Sequence, residues 1–300
     1  MFSRRFSKFG ISGIDVHKPS KPVIAEMGGL AILSGVALAS VPLLLFGNLD
    51  SELALTAFAT IALVGLLGVA DDISGLKQRY KPFLVAFTSL PLVVSLAGRT
   101  DLSLPLLGFI SLGALYPFFV VPLAVTTSAN FSNMLAGFNG LEAGYSAIAI
   151  GALSFLSWWK GEVALALLGT LLVVAYLGFL KLNWYPARIF PGDSGTLMGG
   201  AAIAALGLAG KLEFAAIVVS IPAAFDFTLK MLSRRPFAQR HDFSDSTINS
   251  DGTLEPAGYP ALVHAFMRVS PLGEEELVRS LLLMELCYAA LAVAATLFLM

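Results

Sequence analysis

The sequence predicts an all-α polytopic membrane protein, and three observations carry that expectation. Hydrophobic residues make up 57% of the 300 and charged residues only 13%, where soluble domains carry about 25% charged. The apolar residues gather into nine stretches, most of them near the roughly 17–25 residues that a spanning helix needs. The basic residues are one-sided: of 19 lysines and arginines, only Arg99, Lys160 and Lys211 fall in loops opposite the N-terminus. A soluble globule could not bury this much apolar surface, which excludes a cytosolic enzyme and a secreted disulfide scaffold. A disordered chain is polar and highly charged, and is excluded too. The expectation is one integral membrane domain over residues 1–300, with a cytoplasmic loop or small cap at about 233–276.

The nine predicted spans are 27–47, 53–70, 83–97, 106–126, 141–158, 163–180, 195–210, 214–232 and 277–299. Pro91 breaks the third, Pro117 and Pro122 the fourth, and Pro222 the eighth. Neighbouring helices can satisfy the backbone groups such breaks free. The positive-inside rule makes the basic side cytoplasmic, with the N-terminus inside and Met300 outside. Residues 3–8 are basic, but no apolar core follows before Pro19, so no cleavable signal is expected. The sequence shows no internal repeat, which gives an inverted-repeat transporter little support. Cys287 has no second cysteine to pair with and reads as inert packing in an apolar run.

The opposite loops are short and bland, and the cytoplasmic ones hold the unusual residues. Asp71-Asp72 ends the second span. Two adjacent carboxylates at a membrane boundary repel and are costly to desolvate. A cation such as Mg²⁺ would keep them ionised, while the plainer reading is a polar stop facing water. Lys77, Arg79 and Lys81 follow and could hold phosphate or lipid head groups. Between spans four and five stand Asn130, Asn133, Asn139 and Glu142, with Gly137 and Gly140 for tight turns. Asp193, in Phe190-Pro-Gly-Asp-Ser-Gly, sits before span seven, where helix amides favour anions. Gly-Asp-Ser-Gly also resembles a serine-protease nucleophile segment, but three histidines and an adjacent apolar span do not suit that fold. The last cytoplasmic segment carries Arg240, His241 and Asp242, and a turn at Asn249-Ser-Asp-Gly252. Asp226 and Glu285 lie inside predicted spans, where an ionisable group is either functional or paired near an interface.

Five segments, in order, resemble the polyprenyl-phosphate N-acetylhexosamine-1-phosphate transferase family. They are Gly13-Ile-Asp15-Val-His-Lys18-Pro with Glu26-Met-Gly-Gly29, then Ala70-Asp-Asp72, Asn133 through Glu142-Ala-Gly144, Phe190-Pro-Gly-Asp193, and Ser270-Pro-Leu-Gly-Glu274. The Asn139-Gly-Leu-Glu-Ala-Gly144 run is most similar to the eukaryotic and archaeal branch, which uses UDP-GlcNAc and dolichyl phosphate. The bacterial peptidoglycan branch usually has Asp where this chain has Ala136 and Asn139. Arg240-His241 is similar to the Arg-His element of the dolichol branch, and Asp242 departs from it. The family usually has one more span before the Gly13 segment, and residues 3–8 read like the cytoplasmic end of such a helix.

The resemblance implies transfer of GlcNAc-1-phosphate from UDP-GlcNAc to a polyprenyl or dolichyl phosphate, with release of UMP. It implies Mg²⁺, or Mn²⁺ in its place, held by Asn139 and Asp193. It places Lys81 on phosphate, and Asp71 and Asp72 around the nucleophile or the metal. It places Glu26, Asn133 and Glu142 by the uridine, and Arg240 and His241 at the sugar or diphosphate. Expected partners are the two substrates, membrane lipid and a second copy in a homodimer, with no nucleic-acid binding. The location is the cell membrane in a prokaryote or the ER membrane in a eukaryote, with the site facing the cytoplasm. A relative using another UDP-hexosamine or undecaprenyl phosphate is the alternative, and a transporter is the competing class.

Overall fold

The computed structural model describes residues 11–45, 51–104, 108–135, 137–232 and 246–299. Arg240 and His241 lie outside the described residues. The described chain is helical apart from three two-stranded antiparallel hairpins. It opens with β1 (Ser12–Ile14) and β2 (Val23–Ala25), then α1 (Gly28–Leu45) and α2 (Glu52–Ser74). Two short helices follow, α3 (Lys81–Thr88) and α4 (Leu90–Ser95), and then the hairpin β3 (Asp101–Leu104) and β4 (Gly108–Ser111). A π-helical turn at Tyr116–Val120 leads into α5 (Val121–Met134). The helices α6 (Leu141–Trp159), α7 (Val163–Asn183), α8 (Gly192–Ala209) and α9 (Glu213–Leu232) come next. The chain ends with β5 (Thr247–Ile248), β6 (Leu254–Glu255), α10 (Leu262–Val269) and α11 (Glu274–Leu299).

Among the described residues, five helices, α1, α2, α7, α9 and α11, are long and apolar enough to cross a membrane. The molecule is a mostly helical polytopic membrane protein. Two predicted spans take a different form. The stretch 83–97 is two short helices, and 106–126 is partly the β3–β4 hairpin, with helix starting only at Tyr116. The physical reason is proline position. Pro82, Pro91 and Pro117 each sit in the first turn of a helical segment, where the missing N–H costs nothing. These three prolines start helices, while Pro122 lies inside the continuous run from Tyr116 to Met134, directly after its π-helical turn. Cys287 is exposed on α11 and is not part of the packing.

The centre is α8, which packs against α1, α2, α5, α6, α7 and α9. Almost every residue of it is buried. Its small side chains let other backbones touch it. A Cβ on Gly68 would lie 2.4 Å from Ser194 Cα, and one on Gly29 would lie 2.1 Å from the Gly195 nitrogen. So α1 and α2 close directly on the first turn of α8.

At 18 residues, α8 is about 27 Å long, close to the roughly 30 Å hydrocarbon thickness. Polar clusters stand at its two ends. At the C-terminal end, Tyr116 donates to Glu213 Oε1 at 2.5 Å and Arg99 lies 3.7 Å from the same oxygen. There Lys160 donates to the carbonyls of Gly210 and Lys211. All three basic residues of the opposite loops therefore lie at that end. The other end holds the residues singled out by the sequence.

Candidate active site

The site is built on the first turn of α8. Pro191, the N-cap position, has no side chain able to cap. Asp72 from α2 does it instead: its Oδ1 accepts from the Asp193 amide at 2.7 Å and its Oδ2 from the Ser194 amide at 3.2 Å. A carboxylate on a helix N-terminus satisfies orphan donors and suits the helix dipole. Gly192 permits this approach. Its φ is +68°, and a Cβ there would meet Asp72 Oδ2 at 2.5 Å.

One residue earlier on α2, Asp71 uses Oδ1 to accept from the Leu76 amide at 2.7 Å, closing the turn at Gly75. Its Oδ2 lies 2.5 Å from Lys81 Nζ. Lys81 also reaches Asp193 Oδ2 at 2.6 Å, so the ammonium bridges two carboxylates. Burial works against the charge of Lys81, and the carboxylates of Asp193 and Asp71 outweigh it and hold the ammonium above the usual lysine range. Asn133, near the end of α5, accepts from Thr196 Oγ1 at 2.6 Å and so ties α5 to the same turn of α8.

A second cluster surrounds the turn before α6. The Asn139 side chain donates to Asp15 Oδ2 at 3.0 Å, and its backbone amide donates to Glu274 Oε1 at 2.9 Å. The Gly140 amide donates to Asn183 Oδ1 at 3.2 Å. Lys18 stands between the two acids, 3.2 Å from Asp15 and hydrogen-bonded to Glu274. The His17 ring stacks on Phe138 at 4.2 Å. Asp15, His17 and Glu274 come close enough to share an ion, but Lys18 already places its charge on both acids.

The N-terminal hairpin joins the clusters. β2 runs into the amides of Gly28 and Gly29, which donate to the carbonyls of Phe190 and Pro191. The Phe190 amide donates back to Ala25. Glu26 sits in this strap, its Oε2 beside Gly13. Glu142 is buried in the first turn of α6.

The structure thus brings Asp71, Asp72, Lys81, Asp193 and Asn133 into one group. It sets Asn139 against Asp15 and Glu274. The two expected metal ligands thus have different hydrogen-bond partners, Asp193 being paired with Lys81. The first cluster's donor set suits a hard divalent cation. It is all oxygen, has three carboxylates against one ammonium, and reaches solvent through Asp193, whose side chain is 26% exposed. Sequence reasoning missed Asn183 and Thr196 as members, and treated Asp15, Lys18 and Glu274 only as motif letters. Glu274 lies 135 positions from its partner Asn139, and no local spacing could connect them.

Comparison with known proteins adds the family. The profile described as "Glycosyl transferase family 4" matches residues 54–211, from α2 to the loop after α8. A Saccharolobus solfataricus protein, provisionally named a UDP-N-acetylglucosamine–dolichyl-phosphate N-acetylglucosaminephosphotransferase, is 34% identical over 97% of this chain and 89% of its own. A Schizosaccharomyces pombe protein with that name, unqualified, is 31% identical over 75% of this chain and 61% of its own. A phospho-N-acetylmuramoyl-pentapeptide-transferase of Bacillus licheniformis is 32% identical over 73% of this chain and 71% of its own.

Proposed function

This chain belongs to glycosyl transferase family 4, and from that premise we propose that it transfers GlcNAc-1-phosphate from UDP-GlcNAc to a dolichyl-type polyprenyl phosphate. The observation that carries the reading is Lys81 held between Asp71 and Asp193 at the start of α8, in a chain whose relatives at 31% and 34% identity bear that activity's name. A phosphate oxygen of the lipid attacks the phosphorus that bears the sugar. A new P–O bond forms, the bond to the bridging oxygen breaks, and UMP leaves with that oxygen. GlcNAc-diphospho-lipid is the other product.

Both reactants are anions, so the barrier is electrostatic and positional. Lys81 is the cation positioned to exchange a carboxylate partner for a substrate phosphate. Asp72 holds the α8 turn and leaves Asp193 to face the reactants. A general base adds little, because a phosphate monoester loses its second proton near pH 6. Asp193, with Asp71 and Asn139, would hold Mg²⁺ or Mn²⁺, whose chemistry is to neutralise the diphosphate charge. Glu26, Asn133 and Glu142 flank the uridine, and Arg240 and His241 serve the sugar or diphosphate. The site faces the cytoplasm, because the basic residues crowd its side of the membrane. Transfer of phospho-N-acetylmuramoyl-pentapeptide to undecaprenyl phosphate is the second reading, favoured by the Bacillus relative.

The test is a membrane assay with labelled UDP-GlcNAc and its GalNAc, glucose and muramoyl-pentapeptide counterparts, each with dolichyl and undecaprenyl phosphate. Lipid-linked label from UDP-GlcNAc alone, with UMP released in equal amount, is the expected result. Label from the muramoyl-pentapeptide donor alone would move the chain to the second reading.

A further inference from the structure

Asp226 and Lys230, one turn apart on α9, make contacts that their place in an apolar helix does not suggest. Asp226 is fully buried and Lys230 nearly so. Asp226 Oδ1 accepts from the Leu262 amide at 2.7 Å. Leu262 is the first residue of α10, whose N-cap position is Ala261, a residue that cannot cap. Asp226 therefore caps α10 from another helix, as Asp72 caps α8. Asp226 Oδ2 lies 2.6 Å from Lys230 Nζ. Lys230 Nζ donates in turn to the carbonyl of Met134 at 2.5 Å, the last residue of α5.

One ion pair thus ties the positive end of α10 to the negative end of α5, the favourable sign at both. Met134 follows Asn133, which holds Thr196 in the α8 turn, and lies five positions before Asn139. We propose that Asp226 and Lys230 are a positioning pair. They fix the end of α5, and with it Asn133 and Asn139, against the cap that contains α10. Neither residue touches the reacting atoms. The proposal rests on the transferase reading for its kinetic consequence, but not for its structural one.

Removing Lys230 leaves the Met134 carbonyl and the Asp226 carboxylate buried without their shared donor. Breaking a buried pair by deleting one partner is the costly way to change it. The experiment uses the full-length protein in detergent–lipid micelles, with Lys230→Met, Lys230→Arg, Asp226→Asn and Asp226→Leu/Lys230→Met. Hydrogen–deuterium exchange is read by mass spectrometry, with initial rates and melting temperature beside it. Lys230→Met should speed exchange about tenfold at residues 135–141, with α8 unchanged, the size expected for one lost charge-assisted hydrogen bond. Its kcat should fall about tenfold with KM for the acceptor lipid little changed. Lys230→Arg should restore both. Asp226→Asn keeps an acceptor for Leu262 and should show the smaller change. The double variant, if the single ones fail to fold, should fold and still lose protection at 135–141 and at the start of α10.

Unaltered exchange at 135–141 in Lys230→Met, or equal acceleration in every helix, would overturn the proposal. If wild-type protein transfers nothing from UDP-GlcNAc, the functional reading falls, while the exchange result still decides whether the pair positions this segment.

Discussion

Lys81, Asp71, Asp72 and Asp193 separate into two kinds of work once their partners are known. Both oxygens of Asp72 are used by backbone amides, so its role is to build the turn. Asp71 and Asp193 share Lys81 and hold the charge of the site. Asp193→Asn should cut turnover at least about a hundredfold, near 2.7 kcal/mol at about 1.4 per decade. Mn²⁺ binding followed by EPR should be lost with it. Asp251→Asn, in the exposed hairpin, is the control and should leave both unchanged. Normal turnover and normal Mn²⁺ binding in Asp193→Asn would remove the metal assignment. Gly192→Ala should do comparable damage by another route. It places a Cβ against Asp72 Oδ2 at a positive φ, so it should also lower the melting temperature, which Asp193→Asn should not.

Two elements carry buried groups with opposite consequences. In α10, His264 is 1% exposed, with Nδ1 2.8 Å from the Tyr259 carbonyl and Nε2 3.3 Å from Ser246 Oγ. These partners suit a neutral imidazole, with Nδ1–H donating and Nε2 accepting from the hydroxyl. Burial holds its pKa below the ordinary 6.5 against the opposing hydrogen bond to the Tyr259 carbonyl, with Lys230 and Arg268 adding to the lowering and Asp226 opposing it least. A folded pKa below the unfolded one means that the unfolded chain takes up the proton first. The contribution of His264 to stability is therefore full above about pH 6.5 and is lost as the pH falls through the lower folded value. Exchange protection of α10 should drop on acidification from pH 7 to pH 5 in the wild type and change much less in His264→Gln. In α11, both oxygens of Glu285 are buried with no hydrogen-bond partner among the described residues, beside Tyr145 and Pro222. An unpartnered buried carboxyl is costly, so Glu285→Met should raise the melting temperature, by about 2–4 °C for each kcal/mol recovered. A lower value would show that the carboxyl serves a need the packing does not reveal.

Over the whole molecule, α8 sets the distance between two polar ends, and the sidedness of those ends decides which compartment supplies the sugar nucleotide. In a Cys287→Ser background, Ser74→Cys and Ser270→Cys lie at exposed positions on the Asp193 side. Both should resist membrane-impermeant maleimide added to intact cells and react after permeabilisation. Thr100→Cys, exposed at the opposite end, should react without permeabilisation. The reverse pattern would invert the orientation and contradict a cytoplasmic site.

The amino-acid sequence alone determined the membrane class, because apolar composition and run length act through the hydrophobic effect without regard to contacts. It also marked Asp71, Asp72, Lys81, Asn139 and Asp193 through local motifs, and placed the α8 start and the Asn249–Gly252 turn through glycine and proline chemistry. The prolines at 91 and 117 misled it, because a proline that starts a helix and one that breaks a helix read alike until the flanking backbone is seen. Asp226 read as a functional or a paired group, but no partner could be named, because Leu262 and Met134 lie 36 and 92 positions away, the latter through Lys230. Which aspartate caps and which carries charge, and which cluster Asn139 joins, were decided only by tertiary structure. The physical reason is common to all of these. A hydrogen bond or ion pair is fixed by the distance between atoms, and in a helical bundle the atoms that meet come from helices far apart in the chain.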